Sequence, residues 1–315
     1  MDQNSLQKGM TLDIRSAAVL VECARLGSLG RAAAALDMTQ PAVTRMLKRL
    51  EDSYRVPLFE RTTRGVVPTV YGEALLPYAQ LLVSEVAQSR SVIDEMRGAS
   101  RGLVRVGGVA SSVSGFIVAA IARTRRDFPG LRFLVTEELE DRLIEALKSG
   151  EIDLAMSPEP YADNEIMLAT PEIFHDSVSA FTRAGHPLLD RPNLTLGDMA
   201  DHDWALPPIA TPVVREWLRR FHGANLEPRQ PAIVSRSVPV IKSAVLGEDM
   251  LCWMPVPLVR EEIAAGDLVR VPCPDLDWRR VFRIYRRRQG LMAPSTTLLV
   301  ENMRRIGQEN AHELV

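Results

Sequence analysis

Cysteine is scarce in this chain of 315 residues. Cys23, Cys252 and Cys273 are its three cysteines, they stand far apart, and none forms a CxxC pair. That argues against a disulfide framework or a zinc site, and it predicts three buried thiols in a reducing compartment. The five histidines, His175, His186, His202, His222 and His312, lack metal-ligand spacing. Nothing matches GxGxxG, a P-loop, HExxH or G-x-S-x-G, so neither catalysis nor a cofactor is expected. Long apolar runs are missing as well. The longest charge-free stretch, Val106 to Ala122, is interrupted by glycines and serines and is shorter than the ~20 residues a spanning helix needs. No cationic start followed by an apolar run suggests a signal peptide, and a cytoplasmic protein with no membrane contact is expected. The net charge is only −2, so any attraction to nucleic acid must come from a local patch.

What is there fits a globular chain of two or more compact units, with 46% hydrophobic and 25% charged residues. Leu12, Ala17, Leu20, Val21, Ala24 and Leu26 follow helical spacing, and Gly27 is placed to end that helix. Ser28 can cap a short alanine-rich helix, Leu29 to Leu36, and Thr39 can cap the next one, with Pro41 near its first position. Helix, short turn, helix is the unit whose second helix enters the DNA major groove. On that helix Ala42, Val43, Met46, Leu47 and Leu50 form an apolar stripe, while Gln40, Thr44, Arg45, Lys48 and Arg49 lie elsewhere. Between Arg45 and Arg64 six basic residues stand against three acids. A cationic helix alone reads as a solvated face. The hairpin VPLFERTTRGVVPT after it, with Gly65 in its turn, makes a nucleic-acid surface the stronger reading.

GSLGRAAAALDMTQPAVTRMLKRLE followed by VPLFERTTRGVVPTVYGEALL resembles the N-terminal domain of the LysR-type transcriptional regulators. The resemblance runs over about sixty residues, with QPAVTR, LFER and T-x-x-G-E at family spacing. It implies an α/β protein overall: an all-α winged helix-turn-helix domain over 10–68, a dimerising linker helix over 69–97, and a two-lobed, periplasmic-binding-protein-like effector domain over 98–315. It also implies double-stranded promoter DNA as partner, with Gln40, Pro41, Thr44 and Arg45 at base edges and nearby backbone. Thr39 stands beside them, and Ser28, Lys48, Arg61, Thr62 and Arg64 meet phosphates. The chemistry agrees, since Arg grips guanine and Gln adenine bidentately. Arg55 departs from the family, which usually has glycine there; a positive φ at this position would strain it by roughly 1 kcal/mol, in return for a phosphate contact. A slightly different turn without that strain is the equal alternative.

From Thr69 to Gly98 the helical pattern is continuous, and Leu75, Ala79, Leu82, Val86, Ser89, Ile93 and Met96 form a heptad seam. The seam predicts pairing with a second copy, as a homodimer or homotetramer, over packing on the chain's own C-terminal part. GASRG, 98–102, is a hinge by composition. Beyond it, Leu103–Val106, Ser112–Asp127, Leu131–Val135, Glu140–Lys148 and Ile152–Met156 alternate strand and helix and predict a parallel sheet. The lobes are expected at 101–160 with 276–315, and at 161–275.

A small-molecule effector would lie between these lobes, at strand ends and helix starts. Ala110, Ser111 and Ser112 are the first-lobe candidates, although serines at a helix start also serve as plain caps. Pro208, Ser235 and Ser237 are the second-lobe candidates, with Arg236 between the two serines. Glu140 near the cleft disfavours simple anions and suits a ligand with hydroxyls or an amine; it is equally explained as an acid favoured by a helix N-terminus. The alternative is a ligand-independent DNA-binding repressor or architectural protein whose C-terminal domain only oligomerises, its cleft filled by its own side chains.

Overall fold

The computed structural model describes residues 12–63, 65–97, 102–158, 163–171 and 174–313. Helices α1 (Ile14–Leu26), α2 (Leu29–Ala35) and α3 (Gln40–Tyr54) precede a hairpin of β1 (Phe59–Thr62) and β2 (Gly65–Pro68). Asp13 caps α1 through a reciprocal pair with Ser16, and Gly27 closes it in the left-handed region at φ 61°. Ser28 caps α2 as expected. Thr39 stands at the cap of α3, but its side chain makes no capping bond. Ala17, Leu20, Leu47, Leu50 and Leu58 form one side of the small core; Val19, Cys23, Ala32, Ala33 and Val43 form the other. Gly65 is required where it stands. Its φ is +135°, and a Cβ there would lie 2.1 Å from the Gly27 carbonyl oxygen, so the wing could not close on the α1–α2 turn. Arg55 ends α3 at φ 58°, ψ 29°, so the strain expected of a non-glycine residue is present.

Linker helix α4 (Val70–Met96) is continuous despite Pro77 within it. Its Ala79, Leu75, Leu76 and Val83 pack on the core beside α1. Ala79, like Leu75 of the same expected seam, therefore belongs to the chain's own core and not to the outward seam. Tyr78, 67% exposed, takes its place in a row with Leu82, Ile93 and Met96, all exposed. Gly98 to Arg101, most of the expected hinge, lies outside the described residues.

The C-terminal part starts with β3 (Leu103–Gly108), α5 (Ala110–Ser112), a π-helical turn (Val113–Ile117) and α6 (Val118–Asp127). The expected helix from Ser112 thus begins two residues earlier and is interrupted by that turn. Next come β4 (Arg132–Glu137), α7 (Glu140–Lys148), β5 (Leu154–Ser157), β6 (Ile166–Leu168) and β7 (Phe174–Arg183). They are followed by α8 (Leu196–Ala200), β8 (Ala205–Leu206), α9 (Pro212–Gly223), β9 (Ile233–Val234), α10 (Val238–Gly247) and β10 (Cys252–Pro255). The last elements are α11 (Arg260–Ala265), β11 (Leu268–Arg270), β12 (Trp278–Arg287) and α12 (Pro294–Glu313).

Strands β4, β3 and β5 are parallel, as the alternation predicts. Antiparallel β12 then joins β5 to β7, and β7 pairs with β10. The two ten-residue strands β7 and β12 run from one lobe into the other. Strand β6, which the sequence pattern assigns to the second lobe, pairs with β12 at Tyr285 to Arg287, and Ile166 packs with Leu143 and Leu147. Its place is the first lobe, where it pairs with β12 beyond the stretch paired with β7. The first lobe's core holds Val104, Val106, Phe116, Phe282, Ile284 and Met303; the second is built on Trp204, Trp217, Phe221 and Trp253. Among the described residues no helix is long and apolar enough to cross a membrane.

Two expectations follow for stability and reactivity. Arg55→Gly should raise unfolding free energy by about 1 kcal/mol in denaturant titration, since glycine occupies the left-handed region without a Cβ clash; unchanged or lower stability would contradict the strain. All three thiols are buried and free. Burial pushes Cys23 up to about 11 and Cys252 up to about 12, and raises Cys273 as well. Ellman's reagent should therefore label no thiol in the native chain and all three after unfolding.

Candidate functional sites

The sequence stripes on α3 become two surfaces. Val43, Leu47 and Leu50 are buried. Gln40, Pro41, Arg45, Lys48 and Arg49 are exposed, and Thr44 is half-buried. Gln40, Thr44 and Lys48 form one ridge at four-residue spacing; Pro41, Arg45 and Arg49 form the next. The Thr44 hydroxyl donates to the Gln40 carbonyl at 2.9 Å, which leaves its methyl and lone pairs outward. No ion pair involves Arg45, Lys48 or Arg49 among the described residues, so these cations remain available to a polyanion. Glu51, counted among the three local acids, is turned inward. Its Oε1 accepts the Leu58 and Phe59 amides at 2.8 and 3.2 Å, which ties α3 to the start of the wing. The charge count along the chain therefore understates the cationic character of the outer face.

Ser28 is half-buried at the start of α2, where its hydroxyl accepts the Arg31 amide at 3.4 Å. Arg61 and Thr62 are exposed on β1, opposite Val66 and Gly65. Thr69 fixes the wing's far end, its hydroxyl donating to the Pro57 carbonyl at 2.7 Å and its amide to the Leu58 carbonyl at 3.0 Å. Arg64 lies outside the described residues.

The second site is a cleft of about 260 Å³ between the lobes. Ala110, Ser111 and Glu140 line it from the first lobe and Pro208 from the second, so four of the seven sequence candidates meet. The other three are placed elsewhere. Ser112 is fully buried and its hydroxyl donates to the Val109 carbonyl at 2.9 Å and to Met156 at 3.3 Å, a tie between helix and sheet. Ser235 accepts the Ser237 amide at 3.1 Å within a turn, and Ser237 lines a neighbouring polar pocket.

Arg280 lines the cleft floor and Asp176 lies behind it, and neither was among the sequence candidates. Arg280 of β12 and Asp176 of β7 are direct cross-strand partners, with side chains 5% and 1% exposed. The Arg280 Nε donates to one Asp176 oxygen at 2.8 Å, and Nη2 donates to the other and to the Ser111 hydroxyl at 2.9 Å. Trp278 and Phe282 flank the guanidinium, their ring centroids 5.6 and 5.1 Å away. A sequence signal existed. Arg280 shares strand parity with buried Phe282 and Ile284, and a cation on the apolar face of a strand needs a buried partner.

Charge around the cleft is uneven. Glu137, Glu138 and Glu140 line it, with exposed Arg236 on the other side, while Arg280 is neutralised by Asp176. Apolar walls come from Val109, Leu139, Pro207, Val213, Ile241 and Met254. A cleft with surplus carboxylates and apolar walls disfavours a carboxylate ligand and accepts donors from hydroxyls or an amine.

Comparison with known proteins places both sites in context. Residues 14–73 match the family model described as bacterial regulatory helix-turn-helix protein, lysR family. Residues 97–307 match the LysR substrate binding domain. The HTH-type transcriptional regulator GalR of Pseudomonas putida is 30% identical over 277 residues, covering 87% of this chain and 69% of that protein. The chain spans 65% and 64% of two other curated relatives, both named GbpR. A full-length cysteine variant of OxyR from Pseudomonas aeruginosa superposes with a TM-score of 0.69 at 19% identity, over 94% of this chain and 97% of that one. Full-length CbnR complexed with its target DNA gives 0.67 at 19% identity, over 94% and 100%. At such identities the two structures bear on the fold alone.

Proposed function

Because this chain belongs to the LysR-type transcriptional regulators, we propose that the outer face of α3 reads promoter DNA and that an effector between the lobes controls the reading. The observation that carries the first half is the double ridge of exposed Gln40, Pro41 and Arg45 with half-buried Thr44, and with Lys48 and the wing residues Arg61 and Thr62 beside it. The N-terminal end of a recognition helix meets base edges, and cations around it meet phosphates. The open cleft, with Ser111 and Arg280 at its floor, supports the second half; a domain that served only for oligomerisation would fill that space with its own side chains. The exposed row Tyr78, Leu82, Ile93 and Met96 on α4 suits pairing with a second copy, which presents two recognition helices to two half-sites.

Three finer points belong to the same reading. The effector carries hydroxyls or an amine and lacks a carboxylate, because surplus acids surround the cleft. Closure of the lobes changes the spacing and bend that the paired winged domains impose on DNA. The chain works in the cytoplasm, where the promoter is, and does no chemistry there: the partner of Ser111 is Arg280, which cannot serve as its base.

Two measurements test these roles. Arg45→Ala should cost roughly 1–3 kcal/mol on operator DNA and relax base preference, whereas Arg61→Ala should weaken operator and random duplex alike and flatten the salt slope by about one. Equal losses from both variants on both DNAs would refute the division between base and phosphate contacts. In thermal-shift assays of the full chain, neutral polyols and amines should include a stabilising ligand whose effect is lost in Ser111→Ala. At one hundred times its dissociation constant the gain is about 2.7 kcal/mol, a shift of a few degrees. Stabilisation by carboxylates instead would overturn the charge reading; no stabilisation by any compound would favour the ligand-independent alternative.

A further inference from the structure

Linker helix α4 carries a second face besides its apolar ones. Ser84, Gln88, Ser91 and Glu95 follow steps of four, three and four, so they share one side of the helix. Three of the four reach the first lobe of the same chain. The Ser84 hydroxyl donates to the Gly150 carbonyl at 2.5 Å, and Gln88 donates to the Leu291 carbonyl at 3.3 Å. Glu95 accepts the Ser295 amide and hydroxyl, both at 2.9 Å, at the start of α12.

Arg287 lies at the centre of this contact. One arm of its guanidinium donates to the Leu147 and Ile152 carbonyls at 3.0 and 3.1 Å; the other donates to Gln88 at 2.8 Å and pairs with Glu85 at 3.1 Å. The fork thus joins the last turn of α7, the loop before β5 and the linker helix. Its own side chain is 10% exposed, while Glu85 at the outer edge of the contact is 42% exposed.

Arg287 is also the last residue of β12, the strand whose third residue is Arg280. Seven residues separate the cleft floor from the linker helix, about 23 Å along one strand. That strand is paired along its length with β7, β5 and β6, and its Phe282 and Ile284 are fixed in the first lobe's core. Such a strand shifts as a unit more readily than it bends.

We propose that Arg287 is the positioning residue that couples the cleft to the linker helix: β12 presents Arg280 to the cleft at one end and holds α4 through Arg287 at the other. A change in the Ser111–Arg280 contact then alters the grip on Glu85 and Gln88, and so the angle at which α4 carries the winged domain. The inference rests on the reading of the cleft as the effector site, but its test needs no effector.

Amide hydrogen exchange of the full chain supplies that test. Arg287→Ala should speed exchange over residues 84–96 at least tenfold and leave the amides of β3 and β5 unchanged; Arg287→Lys, which keeps the charge but not the fork, should restore part of the protection. Ser111→Ala, which removes the acceptor of Arg280 at the far end of the strand, should change exchange over 84–96 at least threefold. In the Arg287→Ala background that effect should disappear. A Ser111→Ala effect of equal size in both backgrounds, or none in either, would overturn the coupling. If Arg287→Ala does not fold, Arg287→Lys serves as the second background, and the Ser111→Ala effect should shrink there. Coupling found in the absence of any stabilising compound would keep the inference and reject the effector reading; the reverse pair of results would do the opposite.

Discussion

The buried Arg280–Asp176 pair is the constraint on which the C-terminal half depends. Each ion loses its hydration, which costs several kcal/mol, and the forked pairing through Nε and Nη2 offsets that loss. The geometry is set by the register of β7 against β12, which places the two residues directly opposite each other. Both strands pass from lobe to lobe, so the pair fixes the crossing point itself. It also holds the Ser111 hydroxyl, and with it the start of α5, against the cleft floor. Removing one partner would leave a buried charge unpaired, typically at about 3–5 kcal/mol. One interaction, made possible by that register, therefore holds the crossing between lobes and leaves Arg280 at the cleft without free positive charge.

Helix α4 divides its circumference into three faces, two of them with partners in the chain. Leu75, Leu76, Ala79 and Val83 take the winged domain, Ser84, Gln88 and Glu95 take the first lobe, and the exposed row from Tyr78 to Met96 is left outward. The polar contacts specify orientation and the apolar ones supply burial. Two large halves of the chain meet on one rod, so small changes in its seating reach far. At 1.5 Å rise per residue, its 27 residues span about 40 Å.

The three cysteines are all buried and free, and each is packed among apolar side chains. Cys23 faces α2 and α3 in the winged core, and Cys252 and Cys273 sit in the second lobe's core. Desolvation raises all three above their ordinary range, which lowers the thiolate fraction that oxidation and exchange draw on. Burial gives them the role of small apolar residues.

The local half of this protein was determined by its sequence. Ser28 and Gly27 mark helix ends through groups within three or four residues, and the stripe Val43, Leu47 and Leu50 names its own buried face, because helical periodicity and capping are short-range effects. The parallel order of β3, β4 and β5 followed for the same reason, from alternation along the chain. Only tertiary structure decided the rest. Asp176 and Arg280 are 104 positions apart, and strand register brought them together. Ser112 and Ser235 carry the right chemistry for a cleft, yet their hydroxyls were taken by nearby backbone once helix and turn had closed. Ala79 fits a heptad seam on spacing alone, and its small side chain was claimed by α1, where the closest approach was needed. Charge along the chain showed that Glu51 was present but not that it points inward. Spacing determines which residues share a face; which partner that face meets depends on how distant segments compete for it.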